Sequence, residues 1–589
     1  MHGHRSWSGL LVRSVVALAA LGALPLVTAT PAVAQSAADA VEACDPLTAV
    51  PEAGPRACGG LERAIWLAAQ HCRRVPPAQE PVCPSIDGRP VHESAMQAYE
   101  HSWVARALDL QRELDLDVPL LEALIPHTHN SGNSTAYDPS LTINDANQVV
   151  SVTDQLRLGI RGIELDLHWT PHPAGDPAEG FRAVVQCHGQ SEQTPAGSVH
   201  PGCSVDRTFD AHLAELAAWF DRPEADGELV VLYLENQLDG ADAAHASAVE
   251  SLERHLGHLL HRPTAGAGCQ DLPVTRTKRE LLADGAQVLL TGNCGPAGWT
   301  DLVFQRGPAW DEGGSVTDYL AGTTCEAERE ARDYENTFVR RFEDSTFLSL
   351  MVNGGSYISP EVAASMVRCG VNFPGLDQVH PGDERMPALV WSWRADADPD
   401  DPAAACAAQG VDGRFGSLPC DSVLPVACRT ADGSWIPSTQ RVAWADGDAA
   451  CQADGHAGAG VPANGWENEL LRRATDGLGD VWLAYARQPQ ADGGEGWTVG
   501  IPVREPDPED GDDDTRPGRR PADVGRPDHA GGPPSAGDPG GKPAATDAGF
   551  TRASATREPV PDHALAVVGG LLLLAAVGIG TGRRRARAS

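Results

Sequence analysis

The chain has 589 residues and carries 81 acidic against 45 basic side chains, which gives a formal net charge of −36. The phosphates of DNA and RNA would repel so acidic a protein, and nucleic-acid binding is therefore excluded as a function class. All 14 cysteines lie beyond residue 34 and none forms a CxxC pair, a distribution that predicts disulfides rather than a zinc site.

Residues 1–34 predict a signal peptide. An apolar run from Ser14 to Val27 is followed by Ala32-Val33-Ala34, the small-x-small pattern at which signal peptidases cut. The mature chain is expected to begin near Gln35, and residues 35–100 form a cysteine-bearing segment without an assigned role. Sequence order suggests a pairing of neighbouring cysteines, namely Cys44/Cys58, Cys72/Cys83, Cys187/Cys203, Cys269/Cys294, Cys325/Cys369, Cys406/Cys420 and Cys428/Cys451.

Residues 101–394 alternate short apolar runs with amphipathic stretches such as Phe209–Phe220 and 244–260. The predicted strands are 121–126, 162–167, 183–187, 229–234, 287–290, 347–352, 371–376 and 388–393. Repeated alternation of strand and helix over this length predicts an α/β fold, a (β/α)8 TIM-type barrel. A doubly wound open sheet is the competing architecture.

Ionisable and amide side chains follow the first four predicted strands, at their carboxyl ends. They are His129 and Asn130, Glu164 and Asp166, His188, and Glu235. The carboxyl ends of the strands form the active-site face of such a barrel, so these groups are expected to meet there.

Glu164 and Asp166 are two residues apart on one strand, so both side chains point to the same side of the sheet. Together with Glu235 they would repel one another unless a cation lay among them. A set of oxygen ligands from Asn130, Glu164, Asp166 and Glu235 suits calcium better than magnesium, because the protein itself supplies most of the ligands.

Four segments resemble phosphatidylinositol-specific phospholipases C of the calcium-dependent type. Residues 125–131 (IPHTHNS) resemble the first catalytic-histidine motif, and residues 159–166 (GIRGIELD) the second-strand motif. Residues 186–189 (QCHG) are similar to the second-histidine motif, and residues 232–236 (LYLEN) to the segment with the last calcium ligand. The resemblance covers about residues 119–394 and is specific in the first half of the barrel.

The resemblance implies a phosphoric diester hydrolase that uses Ca2+. In that family an adjacent hydroxyl, the inositol 2-OH, attacks phosphorus and a cyclic phosphate forms. It further implies that His188 protonates the leaving oxygen and that His129 hydrogen-bonds the phosphoryl group. The general base remains open between Glu164 and His129. Metal-free bacterial members carry an arginine at the position of Asp166, so the acidic set here points to calcium.

The substrate is expected to be an inositol phospholipid without ring phosphates, a glycosylated inositol lipid or a soluble glycerophosphodiester. Eukaryotic members hold ring phosphates with lysines on the fifth strand, whereas residues 287–292 (QVLLTG) contain none. Arg161, Arg207 and Arg306 are candidates for phosphate contacts, and no motif selects among them.

Beyond the barrel, residues 395–500 predict a disulfide-rich accessory domain with a partial, reordered resemblance to C-type lectins, which leaves glycan contact as a hypothesis. Residues 501–560 are rich in Pro, Gly and Asp and predict a disordered stalk. Residues 561–582 predict a transmembrane anchor, and the basic residues 583–589 a cytoplasmic tail. The protein is accordingly expected on the outer face of the cell membrane.

Two alternatives to the inositol-lipid hydrolase remain. Glycerophosphodiester phosphodiesterases and sphingomyelinase-D-like enzymes also use a Glu-x-Asp pair with two histidines, although the former usually begin with His-Arg rather than the His129-Asn130 found here. A surface adhesin on an inactive barrel is the non-enzymatic alternative, and retention of both His129 and His188 counts against it.

Overall fold

The computed structural model describes residues 93–134, 136–137, 147–176, 181–186, 188, 192–194, 197–199, 207–238, 242–312, 316–320, 324–342, 358–490 and 493–502. The predicted signal peptide, anchor and tail lie outside these residues, as do most of the 35–100 segment and nearly all of the stalk. Among the residues that are described, no helix combines the length and the apolar character needed to cross a bilayer.

Several helices begin where a capping side chain accepts a hydrogen bond from the backbone amide three residues later, as Thr208 does from Ala211 and Ser359 from Val362. The predicted helix Phe209–Phe220 has the bounds expected from its apolar spacing. The helices are α1 Glu93–Glu100, α2 Trp103–Leu114, α3 Val152–Arg157, α4 Phe209–Phe220, α5 Asp242–Leu256, α6 Lys278–Ala283, α7 Cys325–Arg332, α8 Pro360–Cys369, α9 Arg385–Leu389, α10 Gly447–Ala453 and α11 Gly465–Ala474.

The strands fall into a barrel group and an accessory group. The first group is β1 His127–Thr128, β2 Gly162–Asp176, β3 Arg182–Gln186, β4 Glu192–Thr194, β5 Gly197–Val199, β6 Val230–Gln237, β7 Leu260–His261, β8 Val288–Gly292, β9 Phe304–Gln305, β10 Trp310–Asp311, β11 Phe338–Phe342 and β12 Phe373–Leu376. The second is β13 Cys406–Gln409, β14 Phe415–Leu418, β15 Ala427–Arg429, β16 Trp435–Pro437, β17 Gly458–Ala459, β18 Val481–Pro489 and β19 Glu495–Val499.

A parallel sheet forms the barrel, in the order β10–β11–β12–β1–β2–β6–β8, with β7 and β9 both on the outer edge of β8. The sheet curls so far that strands distant in the sheet order come into contact. The ring of Tyr233 on β6 stacks on Trp310 of β10, with centroids 5.5 Å apart. Trp310 in turn lies 5.3 Å from Phe338 and 5.7 Å from Phe373, so aromatic rings fill the interior. The predicted α/β barrel class is confirmed.

Three strand predictions need correction. The predicted third barrel strand, 183–187, is instead β3, which pairs antiparallel with β2, so β6 is the direct parallel neighbour of β2. The predicted first strand, 121–126, is wrong: the strand at this place is His127–Thr128, which begins after Pro126, a residue without an N–H to donate. Residues 388–393 are mostly apolar and mostly buried, a pattern that a strand and a buried helix share, and part of this run belongs to α9 rather than to a strand. The predicted strand 347–352 lies outside the described residues.

The accessory region has its own sheets, β14–β13–β18–β19 and β16–β15–β17, and packs on the barrel. Asn468 of α11 joins the two parts, since its Nδ2 donates to the carbonyls of Trp391 at 3.0 Å and Gly413 at 2.7 Å. Four predicted disulfides are present, Cys269–Cys294, Cys325–Cys369, Cys406–Cys420 and Cys428–Cys451. The other three predicted pairs include cysteines outside the described residues.

Gly162 is required where β2 enters the barrel. A Cβ at this position would meet the ring of Phe373 and lie 2.8 Å from Cβ of His127. We expect Gly162→Ala to lower the free energy of unfolding by about 1–3 kcal/mol, the usual effect of overpacking. Gly382→Ala is the matched control, because its Cβ would lie 3.6 Å from the nearest atom, an ordinary contact. Chemical denaturation of both variants measures the difference, and equal stabilities would contradict the close packing.

Candidate active site

Three carboxylates converge at the carboxyl end of the barrel. Glu164 and Asp166 share the inner face of β2, and the β2–β6 register places Asp166 opposite Glu235. Ligand oxygens of Glu164, Asp166 and Glu235 all lie within 4.8 Å of one another. Glu164 and Asp166 are buried and Glu235 is partly buried, so the repulsion among them is only weakly screened by water.

Burial and neighbouring charges shift the pKa values of all three carboxylates. Burial, followed by the charges of Glu235 and Glu164, raises the pKa of Asp166 well above its ordinary value. Burial and the charge of Glu164 also raise the pKa of Glu235. For Glu164 burial acts in the same direction, but the Arg340 guanidinium and the hydrogen bond of His127 outweigh it and hold the pKa well below its usual range.

Asn130 completes the oxygen set from the loop after β1. Its backbone is left-handed, with φ at +46°, a conformation that asparagine tolerates better than most residues. One terminal atom of its amide lies 2.8 Å from Asp166 Oδ2, and the other lies 3.1 Å from His129 Nε2. With nitrogen towards Asp166 the amide donates to the carboxylate, and with oxygen towards it the two oxygens can share a cation.

This donor set fits calcium. Carboxylate and amide oxygens are the ligands that hard cations take, and a cation would relieve the repulsion that raises the pKa of Asp166. The structure brings the four predicted ligands Asn130, Glu164, Asp166 and Glu235 together. Their role as metal ligands remains a prediction.

Arg340 is a member of this cluster that the sequence analysis missed. It lies on β11, and its Nη2 is 2.7 Å from Glu164 Oε2, with both side chains 2% exposed. Its guanidinium also stands over the ring of Tyr233, 4.5 Å from the centroid. Arg340 pairs with Glu164, while the pKa values of Asp166 and Glu235 stay raised, so these two carboxylates still call for a cation. Sequence patterns gave no signal, because the segment FVRRF of β11 reads as half polar.

Asp377 is the second missed residue, and it orients His129. It directly follows β12, and its Oδ1 lies 3.3 Å from Nδ1 of His129. Asn147 Nδ2 donates to the other oxygen of Asp377 at 2.9 Å. Asp377 thus keeps the proton of the neutral ring on Nδ1 of His129. The lone pair is then on Nε2, which faces the cluster as an acceptor. Asp377 could have been found, because it ends a predicted strand just as the other candidates do.

His188 lies on the same rim, after the arm β3, with its ring centroid 6.4 Å from that of His129. His127 lies deeper, buried against Phe373 with ring centroids 4.1 Å apart. Its Nε2 is 3.3 Å from Glu164 Oε2, and burial lowers its pKa to about 4, so it is neutral near pH 7. His127 therefore positions Glu164, whereas His129 and His188 remain the candidates for proton transfer.

The three arginines proposed for phosphate contacts have different surroundings. Arg161 precedes β2, at the opposite end of the barrel, where its Nε lies 2.8 Å from Glu228. Arg207 lies 2.5 Å from Glu215 and stands over the ring of Tyr137. Arg306 follows β9 and stands over Tyr233, 5.4 Å from its centroid. Of the three, Arg306 is the one at the rim with the carboxylates.

Asp377→Asn is expected to lower kcat by about 10²-fold or more with little change in KM, because the amide no longer fixes the tautomer of His129. Hydrolysis of a soluble phosphodiester over a range of pH measures the effect. A purely structural role would instead lower the melting temperature and leave the pH–rate profile of the folded fraction unchanged.

Comparison with known proteins gives a family match. A family model described as the Rv2075c PI-PLC-like domain matches residues 87–383. The uncharacterized protein Rv2075c of Mycobacterium tuberculosis H37Rv is 34% identical over 497 residues, which cover 80% of this chain and 98% of that protein. A second uncharacterized protein, MT2135 of strain CDC 1551, matches to the same extent.

Solved structures match at lower similarity. The phosphatidylinositol-specific phospholipase C of Listeria monocytogenes is 14% identical, with a TM-score of 0.32, over 47% of this chain and 94% of that chain. A calcium-dependent phosphoinositol-specific phospholipase C from a Pseudomonas species is 14% identical, with a TM-score of 0.26, over 46% of this chain and 93% of that chain. The family match rests on the sequence comparisons, not on these scores.

Proposed function

Because the chain belongs to the PI-PLC-like family represented by the Rv2075c domain, we propose that it is a phosphoric diester hydrolase that cleaves an inositol phospholipid or a related phosphodiester. An adjacent hydroxyl of the substrate attacks phosphorus at a site whose oxygen ligands would hold calcium. The observation that carries this proposal is the convergence of Glu164, Asp166 and Glu235 beside His129 at one end of the barrel.

His129 is the better candidate for the general base. Glu164 is held ionised by Arg340 and His127, and its lowered pKa makes it a weak proton acceptor. His129 has a carboxylate on Nδ1 and directs Nε2 towards the cluster. General acid–base catalysis of this kind typically accelerates a reaction about 10²–10⁴-fold.

The reaction then balances as a displacement at phosphorus. His129 Nε2 takes the proton of the attacking hydroxyl, its oxygen bonds to phosphorus, and the bond from phosphorus to the leaving oxygen breaks. His188 donates a proton to that leaving oxygen. Asn130, Glu164, Asp166 and Glu235 would hold the calcium ion, which when bound supplies positive charge against the developing negative charge of the phosphoryl oxygens.

We also propose that the protein acts outside the cytoplasm, tethered to the membrane. The four disulfides among the described residues support this location, because such bonds persist in oxidising compartments. The tether rests on the predicted anchor, 561–582.

Liposomes of phosphatidylinositol test the proposal, with phosphatidylcholine liposomes and glycerophosphocholine as competing substrates. The purified full chain is incubated with each substrate in calcium or in a calcium chelator, and water-soluble phosphate esters are measured. The proposal predicts calcium-dependent release from phosphatidylinositol. Release from glycerophosphocholine alone would favour the glycerophosphodiesterase alternative, and no release from any of them would leave the adhesin.

A further inference from the structure

A cavity of about 310 Å³ opens beside the carboxylate cluster, at the carboxyl ends of β8 and β9. Its polar lining comes from Asn293, Gln305, Arg306, Trp310 and Glu312. Arg340 links it to the catalytic cluster, since one guanidinium nitrogen lies 2.7 Å from Glu164 and another lies 3.0 Å from Glu312. A group bound in this cavity therefore lies one side chain away from Glu164.

Glu312 binds the donors that surround it. Its Oε1 accepts hydrogen bonds from Arg306 Nη1 at 2.6 Å, from Arg340 Nη1 at 3.0 Å and from Trp310 Nε1 at 2.6 Å. The two guanidiniums, followed by these hydrogen bonds, outweigh burial and lower the pKa of Glu312, so it is ionised. One carboxylate thus bridges two arginines.

The consequence is a cavity without net charge. Among the described residues that line it, Arg306 is the one cation and Glu312 the one anion, and the two are paired. The charge of Arg340 is likewise divided between Glu164 and Glu312. A phosphate monoester placed here would meet Arg306 already engaged by Glu312, and Glu312 would repel it. Hydroxyl groups would meet amide, guanidinium and carboxylate partners that bond them without a charge penalty.

We propose that Glu312 determines head-group specificity: by engaging Arg306 and Arg340, it makes this cavity a site for an uncharged polyhydroxyl head group and excludes head groups with additional phosphates. This inference rests on the proposed function and names the substrate class of that site. It predicts that removing the carboxylate charge opens the site to phosphorylated head groups, because the Arg306 guanidinium becomes available as a phosphate donor and the charge of Arg340, behind the lining, is less compensated.

The test compares the full-length wild type with Glu312→Gln, and with Glu250→Gln as the matched control. Glu250 lies on α5 and pairs with Arg254 at the surface, with 74% of its side chain exposed. The ratio of kcat/KM for phosphatidylinositol 4-phosphate over phosphatidylinositol is measured in liposomes of fixed composition. Glu312→Gln is expected to raise this ratio about tenfold or more, and Glu250→Gln to leave it at the wild-type value.

A second variant shifts the charge the other way. Arg306→Gln removes one of the two cations that compensate the charge of Glu312, so the cavity becomes more negative. The ratio of kcat/KM for phosphatidylinositol 4-phosphate over phosphatidylinositol is therefore expected to fall, whereas Glu312→Gln is expected to raise it. Arg306 has 26% of its side chain exposed, and its removal leaves Arg340 in place. A wild-type ratio in a folded Glu312→Gln, or an unchanged ratio in Arg306→Gln, would overturn the inference.

Calorimetry separates this inference from the proposed function. Binding of myo-inositol 1,4-bisphosphate and of myo-inositol 1-phosphate is measured for the same proteins. About a tenfold gain in affinity for the bisphosphate alone is expected in Glu312→Gln. If the wild type hydrolyses no inositol lipid, the proposed function fails. The binding result still shows whether Glu312 excludes additional phosphates from the cavity. Equal bisphosphate affinities for Glu312→Gln and wild type would overturn this inference.

Discussion

Replacement of His129 by alanine is expected to lower kcat for phosphatidylinositol about 10³-fold or more and to leave the fold intact. The ring is only partly buried and accepts the proton of the attacking hydroxyl in the proposed reaction. Truncation removes the base and leaves Asp377 with the hydrogen bonds it receives from Asn147 and Gln148. The measurement is the rate of release of inositol phosphate at saturating calcium.

His255→Ala is the matched control, since His255 pairs with Asp210 on the outer helices. It should retain the wild-type rate. A His129→Ala variant with more than about a tenth of wild-type activity would rule His129 out as the base and return that role to Glu164. The melting temperature of each variant shows whether any loss comes from unfolding.

Asp166→Asn is expected to act in opposite directions on activity and on stability. The amide weakens the calcium site, so calcium-dependent hydrolysis should fall about 10²-fold or more. In chelator, the same variant should melt at a higher temperature than wild type, because it removes a buried carboxylate that Glu235 and Glu164 repel. Differential scanning calorimetry with and without calcium measures the change in melting temperature. Hydrolysis assays over a range of calcium concentrations measure the loss of activity.

The pH dependence of stability follows from the same groups. Asp166 and Glu235 have raised pKa values in the folded protein, so metal-free stability should fall as pH rises above about 4 through those values. Glu164 has a lowered pKa and contributes stability that is lost only as pH falls below its unfolded value of about 4. His127, whose pKa burial lowers to about 4, acts in the opposite direction up to its unfolded pKa of about 6.5, so comparison with Asp166→Asn isolates the carboxylates. In chelator, raising the pH above about 4 should lower the stability of the wild type relative to Asp166→Asn, and a constant difference between the two proteins would contradict the crowded carboxylates.

The sequence alone was enough to predict the convergence of the carboxylates. Side-chain alternation put Glu164 and Asp166 on one face, and the barrel rule brought Glu235 to the same rim. His188 was predicted to follow a barrel strand, yet the strand that it follows, β3, pairs antiparallel with β2. An antiparallel arm and a barrel strand show similar apolar patterns, because strand direction depends on partners that are distant in sequence.

Apolar alternation could not predict the functional residues on two other strands. Glu312 follows β10, which has two residues, and Arg340 lies in a five-residue strand that contains two arginines. Alternation needs about four residues or more to be recognised, so β10 could not be predicted, and in β11 the two adjacent arginines interrupt the alternation. Arg340 is buried because Glu164 and Glu312 compensate its charge, which is a tertiary property that no local pattern carries.

Phosphorus NMR of the first product formed from phosphatidylinositol is the decisive measurement for the proposed mechanism. We expect a cyclic inositol phosphate that appears with calcium, is absent in chelator and is absent with His129→Ala. A product that forms first as the acyclic monoester, or at the same rate in chelator, would contradict attack by the adjacent hydroxyl or the part assigned to calcium.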